Sequence, residues 1–201
     1  MTPRQYIEKR REEAQEKQQL AEEWHIPLFS QKQWGLDQAL KSMDSFKLES
    51  SDVPLMIRLV ENPKYDIGLF AGATKLAAHN CVHLLLGRGL QIKDEAFVIG
   101  FTMGSTRKMK RWRRNLYMFC AKYLFPEGYK FKEEERFVFN MAVKIGERCP
   151  ADLSMVNFTK YGRHKLAELR DEIGIDRILL RYCYEVEKKC FPNSPESQRL
   201  L

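Results

Sequence analysis

Gly72-Ala-Thr-Lys-Leu-Ala-Ala-His79-Asn80-Cys81-Val82-His83-Leu-Leu-Leu86 is an unbroken run of helix formers with apolar residues on most faces, and Gly87-Arg88-Gly89 closes it. Such a run predicts a buried helix, because propensity and hydrophobicity agree along its length and glycine just past the end accepts the left-handed conformation at which helices stop. A helix apolar on most faces needs neighbours on most faces. Downstream, after a turn at Gly89 to Ile92, Asp94-Glu95 supplies the acids that favour a helix N-terminus and opens an apolar segment, Ala96 to Met103. Its Phe97-Val98-Ile99 triplet also fits a strand. Further helices are predicted over Trp112 to Phe125 and Lys132 to Arg148, separated by Pro126-Glu127-Gly128 and closed by Cys149-Pro150. Tyr161 to Ile173 and Asp176 to Lys189 form a last pair.

Upstream, Ser51-Asp52 followed by Pro54 is a helix start, and Leu55, Ile57, Leu59 and Val60 lead to a stop at Asn62-Pro63. Ile26 to Ser51 is irregular, with Pro27 and Gly35, and holds a short helix around Leu36 to Met43. Arg4 to Trp24 reads as a charged surface helix rich in Glu, Lys, Gln and Ala. The expected architecture is all-α, a single-domain helical bundle. Residues 1–50 are its charged N-terminal helix and irregular segment, 51–190 its helical core domain with the metal motif, and 191–201 a tail.

The chain of 201 residues is long enough to bury a core without disulfides. Apolar residues make up 44% and charged residues 30%, too hydrophobic for disorder and too charged for a membrane-embedded protein. Five scattered cysteines with no C-x-x-C pair argue against a disulfide framework or a thiolate zinc site. The N-terminus lacks the apolar core of a signal peptide, and no apolar run approaches the roughly 20 residues that span a bilayer. A cytoplasmic address follows as the expectation, with membrane contact at most peripheral.

His79 and His83 are four residues apart, hence on one face of the buried helix, where both imidazoles reach a single ion. Asn80 projects within the same arc, and Glu95, after eleven intervening residues, can return on the next helix with a carboxylate. Without a shared partner, these polar groups on an apolar helix would each cost about 1–3 kcal/mol. His79, His83 and Glu95 are therefore the candidate ligands of a divalent metal, zinc or magnesium, with Asn80 projecting beside them. His25 and His164 have no comparable neighbours in sequence and read as surface residues.

The pattern H-[D/N]-x-x-H, eleven residues, then E, written here from His79 to Glu95, resembles the signature of the Coq-four family of ubiquinone (coenzyme Q) biosynthesis proteins. Leu166-Ala-Glu-Leu-Arg170-Asp-Glu-Ile-Gly-Ile175 is similar to that family's closing L-R-x-E-L-x-I stretch. The resemblance implies an all-α protein with a divalent metal, often zinc, that binds prenyl lipids and works in a membrane-peripheral quinone-synthesis complex. It further implies an oxidative decarboxylation of the quinone-ring precursor. By position, the ligands would be His79, residue 80, His83 and Glu95. The family has aspartate where this chain has Asn80, which leaves the site one negative charge short.

The net charge of +7 is concentrated in Arg107-Lys-Met-Lys-Arg-Trp-Arg-Arg114, six cations in eight residues, followed by Leu116, Tyr117, Met118, Phe119 and Tyr123. A cationic collar beside aromatic and aliphatic residues suits an interfacial helix on an anionic membrane, with Arg111, Arg113 and Arg114 on lipid headgroups. A solvated basic loop and a nucleic-acid contact are the other readings. The last ranks lowest, because no nucleic-acid motif spacing or phosphate-cradling glycine loop is present. The functional expectation is a metal-binding helical protein of ubiquinone or prenylquinone biosynthesis, with a prenyl lipid or quinone precursor, an anionic membrane surface and a homo-oligomer or biosynthetic complex as partners. A non-catalytic lipid-binding scaffold is the alternative.

Overall fold

The computed structural model describes residues 23–44, 76–107, 109–126 and 129–201. Eight α-helices lie among these described residues: α1 (Leu36–Asp44), α2 (Leu76–Leu86), α3 (Ile92–Ser105), α4 (Arg111–Tyr123), α5 (Glu133–Gly146), α6 (Leu166–Ile173), α7 (Arg177–Cys190) and α8 (Pro195–Gln198). The described residues contain no strand, only an isolated bridge between Gly35 and Lys165. The all-α bundle expected from the sequence is the observed fold. The expected helices over Arg4 to Trp24 and from Ser51 to Asn62 lie outside the described residues, apart from Glu23 and Trp24.

Helix α3 lies between two cores. Phe97, Val98 and Phe101 face a larger core with α1, α2, α6 and α7, while Ala96, Ile99 and Met103 face a smaller one with Tyr117 and Ala121 of α4 and Phe139 and Val143 of α5. Burial on both sides explains why Phe97-Val98-Ile99, which taken alone also fits a strand, continues the helix opened at Asp94-Glu95: with no polar face left, residue type is uninformative and packing decides. Gly100 and Gly104, four residues apart on one face of α3, let its backbone meet α5 directly. A methyl group on Gly100 would stand 2.5 Å from the Phe139 carbonyl oxygen, and groups on Gly104 and Gly146 would overlap the carbonyls of Val143 and Phe101.

The C-terminal end of α2 presents carbonyls with no partner inside the helix, and four side chains from three segments of the chain donate to them and to the Gly87 carbonyl. Gln31 Nε2 bonds Leu84 O at 2.7 Å, Arg170 Nε bonds Leu85 O at 2.7 Å, Tyr184 OH bonds Leu86 O at 2.5 Å and His25 Nε2 bonds Gly87 O at 2.8 Å. Gly87, at φ +65°, makes the left-handed stop with the Leu28 backbone 3.0 Å from where its Cβ would be.

The structure departs from expectation at three points. His25 is half-buried and hydrogen-bonded rather than a surface residue, and burial pushes its imidazole below the ordinary histidine range. His164 is exposed, as expected. The predicted helix from Tyr161 is split into a 3-10 turn, Phe158–Tyr161, and α6 from Leu166. Residues 191–201 carry α8, started by Ser194 with Pro195 in its first turn, and Ser197 and Leu200 are fully buried.

Candidate metal centre

Helix α2 brings His79 and His83 onto one face, and the first turn of α3 brings Glu95 against them. His79 Nε2 is 2.9 Å from Glu95 Oε2 and 3.0 Å from His83 Nε2, and His83 Nε2 is 3.2 Å from Glu95 Oε1. His83 is fully buried, whereas the His79 and Glu95 side chains are 19% and 34% exposed, so the cluster is closed below and open at its mouth.

The tautomer of His83 follows from its other nitrogen. Nδ1 is 2.7 Å from the Gly89 carbonyl, which only accepts, so Nδ1 carries a proton and the neutral ring turns its Nε2 lone pair toward His79 and Glu95. Burial alone would push this imidazole down, but the Glu95 carboxylate and its hydrogen bond outweigh that, and the net shift is upward. Burial would likewise raise Glu95, but the two imidazoles hold its carboxyl well below the usual carboxylate range. Without a cation, protons bind the cluster together, and these are the protons a cation displaces.

The donor set fits a divalent ion. The three separations of 2.9, 3.0 and 3.2 Å are close to the edge of about 3.3 Å between tetrahedral ligands at about 2.0–2.1 Å from zinc. Among the described residues, His79, His83 and Glu95 form the one group of three or more His, Cys, Asp or Glu side chains able to hold a metal ion. Asn80 is buried at 7% exposure and makes no hydrogen bond to any of the three among the described residues. The Cys81 thiol, next in sequence, is buried and pushed up to about 12, chiefly by desolvation, so it is neither a thiolate ligand nor an activated nucleophile.

The basic cluster lies elsewhere, at the start of α4. Arg114 pairs with Glu147 at 2.5 Å, Arg107 donates to the Pro150 carbonyl at 3.0 Å, Arg113 lies over the Trp112 ring at 5.4 Å and Arg111 is exposed. The outward side of α4 carries Trp112, Phe119 and Tyr123, each about half exposed, and the helix contains no acidic residue.

Two supports of the site were not legible from spacing. One is the Gly89 carbonyl on His83. The other is the first turn of α3, where Lys93 and Asp94, fully buried beside Glu95, reach partners in α5 and the C-terminal segment. No family model, no curated protein and no solved structure matches the chain.

Proposed function

We propose that this chain is a divalent-metal-binding helical protein that acts on a prenylated quinone precursor at an anionic membrane surface. One observation carries the metal part: His79, His83 and Glu95 converge with His83 already fixed in the tautomer that presents Nε2. Two imidazoles and one carboxylate favour zinc over magnesium, which prefers an all-oxygen octahedral shell. Three protein donors with an open mouth correspond to the catalytic rather than the closed structural type of zinc site. A bound ion there supplies a Lewis acid for a ring carboxylate or phenolate oxygen. The His79 to Glu95 motif and the Leu166 to Ile175 stretch support the quinone reading through their resemblance to the Coq-four family, and the basic, aromatic outer side of α4 supports the membrane partner.

The second reading is a non-catalytic lipid-binding scaffold with a structural metal. Asn80 favours it, since a neutral amide stands where the resembling family has a carboxylate. Elemental analysis of the purified protein, coupled to extraction of co-purifying lipid, tests both parts. Divalent metal that is lost in a His79→Ala, His83→Ala double variant, together with a prenylated aromatic lipid, is expected. Equal metal content in wild type and double variant contradicts the metal centre, and metal without turnover of any carboxylated prenyl phenol favours the scaffold.

A further inference from the structure

The C-terminal segment grips the turn from which Glu95 projects. Lys93 Nζ donates to Ser194 Oγ at 2.6 Å and to Glu134 Oε2 at 2.5 Å, and the fully buried Asp94 takes the Arg199 guanidinium. That guanidinium also lies across Gly89: a methyl group on Gly89 would overlap Arg199 Nη2 and stand 2.9 Å from Asp94 Oδ2. Gly89 is the residue whose carbonyl fixes His83, and Asp94 is the residue before Glu95. One side chain, 105 positions along the chain from Asp94, thus touches both supports of the metal centre.

We infer that Arg199 is a positioning residue for the metal centre: by bridging Asp94 and Gly89 it sets Glu95 at the distance from His83 at which one ion reaches both. The inference rests on the metal-centre reading above. It explains why Ser194 and Ser197, which are not ligands, are buried beside Lys93 of α3. Outer-shell partners of metal ligands govern affinity through orientation, and their loss costs about 10–100-fold. A mere anchor for the C-terminus would change stability and leave the ion's surroundings alone.

Gly89 supplies a probe that removes no charged group. Its added methyl group meets the far end of a flexible side chain, so Gly89→Ala displaces the guanidinium without straining the backbone. The experiment uses the full chain and measures zinc affinity by competition with a chromophoric chelator. The visible spectrum of the cobalt-loaded protein reports the coordination, and circular dichroism verifies that each variant is folded at the temperature used. Arg199→Ala and Gly89→Ala are each expected to weaken zinc binding by about 10–100-fold and to alter the cobalt spectrum, with Arg199→Lys recovering part of both. In the double variant the part of the Gly89→Ala effect that runs through the guanidinium should vanish, leaving only the methyl group's 2.9 Å contact with Asp94 Oδ2. Wild-type zinc affinity and cobalt spectra in both single variants overturn the proposal, whatever happens to the melting temperature. A wild-type chain that binds no zinc overturns the metal centre itself, and this inference with it, before any variant is made.

Discussion

His83 is the residue on which the site turns, because it is fully buried, polar at both nitrogens and satisfied at both. Its interaction with Glu95 makes the metal-free protein pH-sensitive in a defined direction. The Glu95 carboxyl lies below its ordinary value of 4.5, so its contribution is present above that value and lost as pH falls through the folded pKa. The His83 imidazole lies above its ordinary 6.5, so its contribution is complete below that value and lost as pH rises through the folded pKa. Melting of the chelator-treated protein against Glu95→Gln should therefore differ most between pH 4.5 and 6.5. A difference independent of pH would mean that the pair does not titrate as a unit. Zinc affinity should fall with falling pH as protons compete for His83. Asn80 gives the second test at this scale. If it belongs to the coordination sphere, Asn80→Asp adds a carboxylate beside two imidazoles, and the variant should gain stability when zinc is added. If it is only a buried helix residue, the new charge has no partner and stability drops by several kcal/mol with or without zinc.

At the scale of elements, α3 does most to place the site, and it was the least legible. Helices such as α5 and α7 show in the sequence because they have a polar face; Glu133, Glu134 and Glu135 mark the start of α5 as clearly as Asp176 marks that of α7. Helix α3 is buried on both sides, so beyond the acids at its start its pattern left some room for a strand, and its glycines act only through α5, which spacing does not reveal. Gly104→Ala should cost about 1–3 kcal/mol by forcing α3 off the Val143 carbonyl, an overpacking effect. Gly35→Ala, where the nearest atom is 3.9 Å away, is the control and should be close to neutral in the same denaturation experiment. The three candidate ligands that meet in space were legible for the opposite reason. A four-residue histidine spacing is a local property of a helix, and Glu95 needed only a short turn to return. The supports of those ligands are long-range: Arg199 meets Gly89 and Asp94 only because the chain's end folds back, and residues 191–201 hold a Ser194-Pro195 helix start that a reading as a tail passes over.

Across the whole molecule, charge and hydrophobicity are divided between two regions. The His79, His83 and Glu95 cluster joins α2 and α3 beside a buried Arg88–Glu187 pair, with the Arg88 guanidinium 3.9 Å from the Phe97 ring centroid and 4.4 Å from that of Tyr184. Helix α4 has Arg111 and half-exposed aromatic rings on its exposed side, and no helix among the described residues is long and apolar enough to cross a membrane. If α4 meets an anionic bilayer, sedimentation with phosphatidylserine vesicles should weaken with salt, since exposed charges are screened over about 10 Å at 0.1 M. It should weaken further when Arg111, Arg113 and Arg114 are replaced by Ser, and unchanged sedimentation rejects that surface. The metal centre remains the claim from which the rest follows. Its most direct test is calorimetric titration of zinc into chelator-treated protein, wild type beside His83→Ala. The account predicts one equivalent bound by wild type, with proton release and a higher melting temperature, and none of these in the variant; identical titrations of the two proteins would contradict it.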